Sequence, residues 1–299
     1  MSKKETQSSE RKDRWGDRKD AWLVRDMPGL SKLMPFMYPN KCDNEAFIRE
    51  TIDLTPTLKF IEEKNKNNQH PELPYKVFHV VVAVIVKAFY LRPKMNRFIR
   101  GKRVWHRKEI STAFMVKKQF NDHAEEGVAF ITHPETSNID FVHESILKRV
   151  SAVRSEGDSI SDAINIVTKM PHLLLQFFMW VVSILDYHGH VPAGLMEGDP
   201  SYASVFISNL GSIKLNAGYH HLSNRGSNSV FVTIGEMHKA PVINENGKSE
   251  IKTVLDLGIT LDERIADGYY YAKTMKLIKY LFAHPELLDT PAIEEVDYE

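Results

Sequence analysis

The chain has 299 residues, 42% of them hydrophobic and 26% charged, a balance that fits an ordinary globular protein with a sizeable core. Lys and Arg number 39, as do Asp and Glu, which argues against a protein built on bulk attraction to nucleic acid or anionic lipid. The single cysteine, Cys42, closes no internal disulfide and excludes a four-cysteine zinc site, and neither a signal-peptide core nor an 18-residue apolar run occurs, so a cytoplasmic protein without a membrane span is expected.

Residues 1–20 carry seven basic and five acidic side chains with Trp15 as the one aromatic, and are expected to form a mobile arm ahead of a single domain over 21–299. Phe47 to Leu54 alternates apolar and polar residues, the pattern of a half-buried strand, and Thr55-Pro56 opens a helix. Phe78 to Tyr90 (FHVVVAVIVKAFY) is almost wholly apolar and too long for an ordinary strand, so it predicts a buried helix despite its β-branched residues. Two strands over Val104 to Phe120 and a helix over Ser137 to Glu156 follow. Leu173 to Leu185 (LLLQFFMWVVSIL), broken only by Gln176 and Ser183, is too short for a bilayer and lacks the Lys/Arg-rich face of a membrane-surface helix. It reads as a core or subunit-interface helix. Short strands at Val205 to Ser208 and Val230 to Gly235, an alternating strand at Val254 to Leu261 and an amphipathic helix at Gly268 to Ala283 complete the pattern. Interleaved strands and helices predict an α/β fold with a mixed sheet covered by helices.

His188-Gly189-His190 lacks the carboxylate or cysteine spacing of a metal centre, and no HExxH, Walker or Rossmann glycine pattern occurs, so no metal is expected. His220-His221 lies in a Gly/Asn/Ser-rich stretch and reads as a surface loop.

Two segments carry a resemblance. Ser204 to Val242 contains ISNLG (Ile207 to Gly211), and Leu257 to Leu288 contains DERIADG (Asp262 to Gly268). Together they resemble the catalytic domain of the 2-oxo acid dehydrogenase dihydrolipoyl acyltransferases, where a "TISNLG" strand precedes "DHRxxDG". Upstream, Ile52-Asp53-Leu54-Thr55 with the helices after it is similar to chloramphenicol acetyltransferase. The resemblance covers roughly residues 45–290 and implies a two-layer α/β sandwich, assembled as a homotrimer with active sites between subunits.

What it implies for chemistry departs at one position. In the family a histidine removes the proton from the attacking thiol or hydroxyl, and a serine hydroxyl steadies the oxyanion. Ser208 matches that serine, but Glu263 stands at the histidine. Asp267 matches a carboxylate that is buried against an arginine in the family; Arg25, Arg14, Arg18 and Arg264 are the candidate partners here. A carboxylate is about two units less basic than imidazole, roughly 3 kcal/mol of driving force, a gap that desolvation can close. Two classes of function follow: an acyltransferase with Glu263 as base, Ser208 as oxyanion donor and Asp267 as loop support, or a non-catalytic oligomer that binds a ligand or scaffolds partners. No lipoyl-domain motif is present, so the expected donor is a coenzyme A thioester, or a thioester on a separate carrier, and the expected acceptor is a small molecule. The coenzyme A contacts are not assigned.

Overall fold

In chain order the computed structural model forms β1 (Ala21–Leu23), α1 (Gly29–Met37), β2 (Glu45–Asp53), α2 (Thr55–Lys66), α3 (Val77–Leu91), β3 (Arg97–Arg100), β4 (Arg103–Arg107), β5 (Ile110–Lys117), β6 (Glu126–His133), α4 (Ile139–Ser155), α5 (His172–His188), β7 (Val205–Asn209), β8 (Val230–Ile234), β9 (His238–Ile243), β10 (Ser249–Asp262) and α6 (Gly268–Ala283). Residues 11–117, 126–155, 167–196, 198–243 and 246–298 are described.

The main sheet runs β2-β10-β8-β7-β5-β6, with β9 paired to the first half of β10. It is mixed: β7 lies parallel to both β5 and β8, whereas β2, β8 and β9 pair antiparallel to β10. Helices α2, α3, α4 and α6 cover one face, and the core lies between them and inward residues such as Val205, Ile207, Val232, Leu257 and Ile259. The α/β sandwich expectation holds. So does the helix over Phe78 to Tyr90: every residue from His79 to Tyr90 on α3 is buried, and continuous burial overrides the strand preference of its valines. Lys87 on that helix is 1% exposed, and its amine donates to Thr290 Oγ1 and Pro291 O, both at 2.9 Å.

His79 and His133 lie neutral in the core. The Lys76 backbone N–H donates to His79 Nδ1 at 3.0 Å, so that nitrogen carries no proton. His133 Nε2 lies 2.9 Å from Thr112 Oγ1. Burial pushes both imidazoles down to about 3.

Two expectations are narrowed. A second sheet, β1-β4-β3, receives the described half of the arm. The Arg18 guanidinium lies 5.3 Å from the Phe98 ring and 5.7 Å from Trp105, while Asp17 accepts from Leu23 N at 2.9 Å and pairs with Arg25 at 3.1 Å. Asp17 and Arg18 are therefore held against the sheet by partners that charge counting does not reveal, while residues 12–16 and 19 are exposed; residues 1–10 lie outside the described part. Helix α5 forms where expected but does not enter the core: only Val182 and Asp186 on it are buried, and Leu173 is 80% exposed. Among the described residues no helix is long and apolar enough to cross a membrane.

Candidate active site

The sheet face opposite the four helices carries Ser208. Side chains alternate along a strand, so Phe206 and Ser208 of β7 share this face with Phe231 and Thr233 of β8, through the register pairs Phe206–Phe231 and Ser208–Thr233. Across β10 and β2 the same rows continue as Thr260–Phe47 and Gly258–Arg49.

A strap, residues 215–222, crosses this face. Gly218 O accepts from Thr233 Oγ1, and Thr233 Oγ1 also reaches Gly258 O at 3.1 Å. The strap lies this low because residue 258 is glycine: a Cβ there would collide with Gly218 O and come within 2.6 Å of Thr233 Oγ1. His220 stacks on Phe231 (4.2 Å between centroids, 9° between planes), and Tyr219 packs on Phe47 at 5.1 Å. The surface loop expected around His220 is thus seated on the sheet, although both of its histidines are exposed.

Ser208 lies near the C-terminal end of β7, half-buried, just before the tight turn Leu210–Ile213. Asn209 Oδ1 accepts from Ser212 N at 3.3 Å, which fixes that turn.

Glu263 follows β10 on a turn held from three sides. Its backbone N–H donates to Asn44 O at 2.9 Å. Arg264 grips Asp262 through Nε to Oδ1 and Nη2 to Oδ2, both at 2.7 Å, and donates through Nη1 to Tyr38 O at 2.6 Å. Tyr271 donates its hydroxyl to Asp262 O at 3.1 Å. Lys41, also buried here, donates to Asn228 O at 2.6 Å, and desolvation pushes its amine down to about 7 despite the nearby Asp262 charge. The Glu263 side chain stands out from this anchored turn, exposed and in no ion pair with a described residue.

Asp267 differs from its expectation. It is exposed, and its carboxylate caps α6 by accepting from Tyr270 N at 2.9 Å. The expected arginines bond elsewhere: Arg25 to Asp17, Arg18 to Asp20, Arg264 to Asp262, and Arg14 through its backbone N–H to Asp17. The buried carboxylate–arginine pair is Asp262–Arg264, with side chains 0% and 1% exposed. A carboxylate ahead of a helix satisfies the orphan N–H groups of the first turn without burial, which is the role Asp267 takes. In the sequence the Asp262–Arg264 pair shows only as two opposite charges flanking Glu263.

One chain does not bring Ser208 and Glu263 together. Ser208 is level with Gly258, whereas Glu263 lies five residues farther along β10 and two strands over. That is about 16 Å along the strand and about 10 Å across it. A single acyl carbon touches both only if the two side chains come from different copies. Among the described residues there is no group of His, Cys, Asp or Glu able to hold a metal ion.

Residues 195–289 match the model of the 2-oxoacid dehydrogenases acyltransferase (catalytic domain), a span that contains both Ser208 and Glu263. Solved structures share the fold. A probable dihydrolipoamide acetyltransferase from Listeria monocytogenes superposes with a TM-score of 0.57 at 12% identity, over 92% of this chain and 98% of its own. The dihydrolipoamide acetyltransferase of Azotobacter vinelandii gives 0.59 at 15% identity over 89% and 93%. A chloramphenicol acetyltransferase gives 0.51 at 11% identity over 88% and 99%. None of the curated proteins compared matches the chain.

Proposed function

We propose that this chain, which carries the fold of the dihydrolipoamide and chloramphenicol acetyltransferases, moves an acyl group from a coenzyme A or carrier-bound thioester to the hydroxyl or thiol of a small acceptor. The observation that carries the reading is the acyltransferase match over residues 195–289, which holds ISNLG with Ser208 and the anchored turn of Glu263. The Azotobacter vinelandii enzyme has been investigated for the roles of a serine, a histidine and an asparagine in its catalytic mechanism, the last two in the same four-residue step as Glu263 and Asp267.

The functional unit is a homotrimer in which Glu263 of one copy faces Ser208 of the next; the separation of the two within one chain supports a site shared between copies. Glu263 accepts the acceptor's proton as its oxygen or sulfur attacks the thioester carbon. Ser208 donates a hydrogen bond to the oxyanion. The C–S bond then breaks, the acyl group stays on the acceptor, and the proton passes from Glu263 to the departing thiolate. Asp267 keeps the start of α6 in place behind the turn. A carboxylate has no ring N–H with which to lock its orientation, and the clamp of Asp262, Arg264 and Asn44 fixes the backbone on which Glu263 sits.

Incubation with acetyl-CoA and a panel of hydroxyl and thiol acceptors, followed by free-thiol release, tests this reading. Glu263→Ala is expected to lose roughly a hundredfold in turnover, the low end of what a positioned base contributes, and Glu263→His to retain activity. Absence of turnover in both wild type and Glu263→His, with no coenzyme A binding by calorimetry, overturns the reading in favour of a non-catalytic oligomer.

A further inference from the structure

Helix α5 has an apolar seam aimed away from its own domain. Leu173, Phe177, Trp180, Ile184 and Tyr187 follow a 4-3-4-3 spacing, which places them within about 80° of one another around the helix. Val182 and Asp186, its two buried residues, lie on the opposite side. The seam residues are 80%, 59%, 59%, 40% and 42% exposed in that order. This is the spacing with which helices pack knobs into holes along a shared seam.

The helix is not free to roll this face inward. Asp186 accepts from Arg100 Nη2 at 2.6 Å and from Gly226 N at 3.0 Å. Gly101, at φ 59°, fits beneath it because a Cβ there would come within 2.6 Å of Tyr187 O. These contacts fix the rotation of α5 and leave the seam pointing outward.

We propose that the α5 seam is an interface between two copies of this chain, helix against helix, made through residues other than Ser208 and Glu263. The proposal does not depend on acyl transfer. Area supports it: at 150–250 Å² per large side chain the five seam residues expose about 550 Å². Two copies bury about 1,100 Å², the threshold of a specific interface, and the flanking Leu174 (51% exposed) and Met179 (36%) add to it. Charge supports a second copy as the occupant. Residues 172–188 contain no Lys, Arg or Glu, and their one acid, Asp186, is spent on Arg100 and Gly226, so identical seams meet without like-charge repulsion. The same lack of basic residues argues against a lipid surface, which a membrane-lying helix engages through Lys and Arg on its polar face.

The test combines light scattering at micromolar concentration with cross-linking. Phe177→Glu/Trp180→Glu alters exposed side chains only, so its circular dichroism and melting temperature should match wild type. The proposal expects the wild-type mass to be about twice that of the double variant, whatever the variant's own state. It also expects Ile184→Cys, in a Cys42→Ser background, to form a disulfide-linked pair under mild oxidation. Equal masses with no cross-linked pair overturn it. Loss in the double variant of binding to vesicles of anionic lipid, with unchanged mass, overturns it in favour of a membrane contact.

Discussion

Arg264 holds Asp262 in a two-pronged pair, Nε to Oδ1 and Nη2 to Oδ2 at 2.7 Å each, and Glu263 stands between the two. Both side chains are almost wholly out of water. The pair therefore fixes the one residue whose identity departs from the acyltransferase motif.

Removing either partner leaves a buried charge without its complement. Asp262→Ala is expected to cost about 3–5 kcal/mol, a fall in melting temperature of roughly 5–8 °C. Asp267→Ala removes only an exposed helix cap, worth about 1 kcal/mol. Thermal melts of the two variants side by side check the assignment; equal losses would mean that Asp267 is the buried partner after all.

How far the sequence reached is clearest on the same turn. The fold was legible because periodicity and length locate α3, β10 and α6, and because ISNLG and DERIADG fall in family order. The ion pair was not, since several arginines competed for one carboxylate and one-dimensional spacing does not say which carboxylate is buried. The sequence left the direction of the α5 apolar face open, between core and subunit interface, for a related reason. An apolar run announces burial against something without saying whether that something is the same chain.

The strap over the open face depends on a missing side chain. Gly258→Ala places a methyl against Gly218 O and Thr233 Oγ1, so residues 215–222 must lift or β10 must shift. The expected outcome is faster cleavage within the strap in limited proteolysis, together with a melting temperature several degrees lower, as overpacking of about 1–3 kcal/mol implies. An unchanged digestion pattern would show that the strap is not held there.

Acid should destabilise the protein well above the usual carboxylate range. His79 and His133 titrate near 3 in the folded chain, against an ordinary 6.5. Between those values the unfolded chain binds more protons, so stability is complete above about pH 6.5 and falls as pH drops toward 3. Each histidine contributes about 1.4 kcal/mol per pH unit once well below 6.5. Urea midpoints at pH 7, 6 and 5 measure the slope, and His133→Gln should make it shallower. A midpoint independent of pH across that range would mean that both rings protonate while folded.

Ser208 of one copy and Glu263 of another are expected to serve one acyl-transfer site. Ser208→Ala and Glu263→Ala proteins, each purified as a nearly inactive enzyme, are unfolded together, refolded as a mixture and assayed for thiol release from acetyl-CoA. Random assembly from equal amounts restores an intact Ser208–Glu263 pair at about a quarter of the interfaces, so activity should recover to about a quarter of the refolded wild type. A mixture no more active than its two components would contradict a shared site.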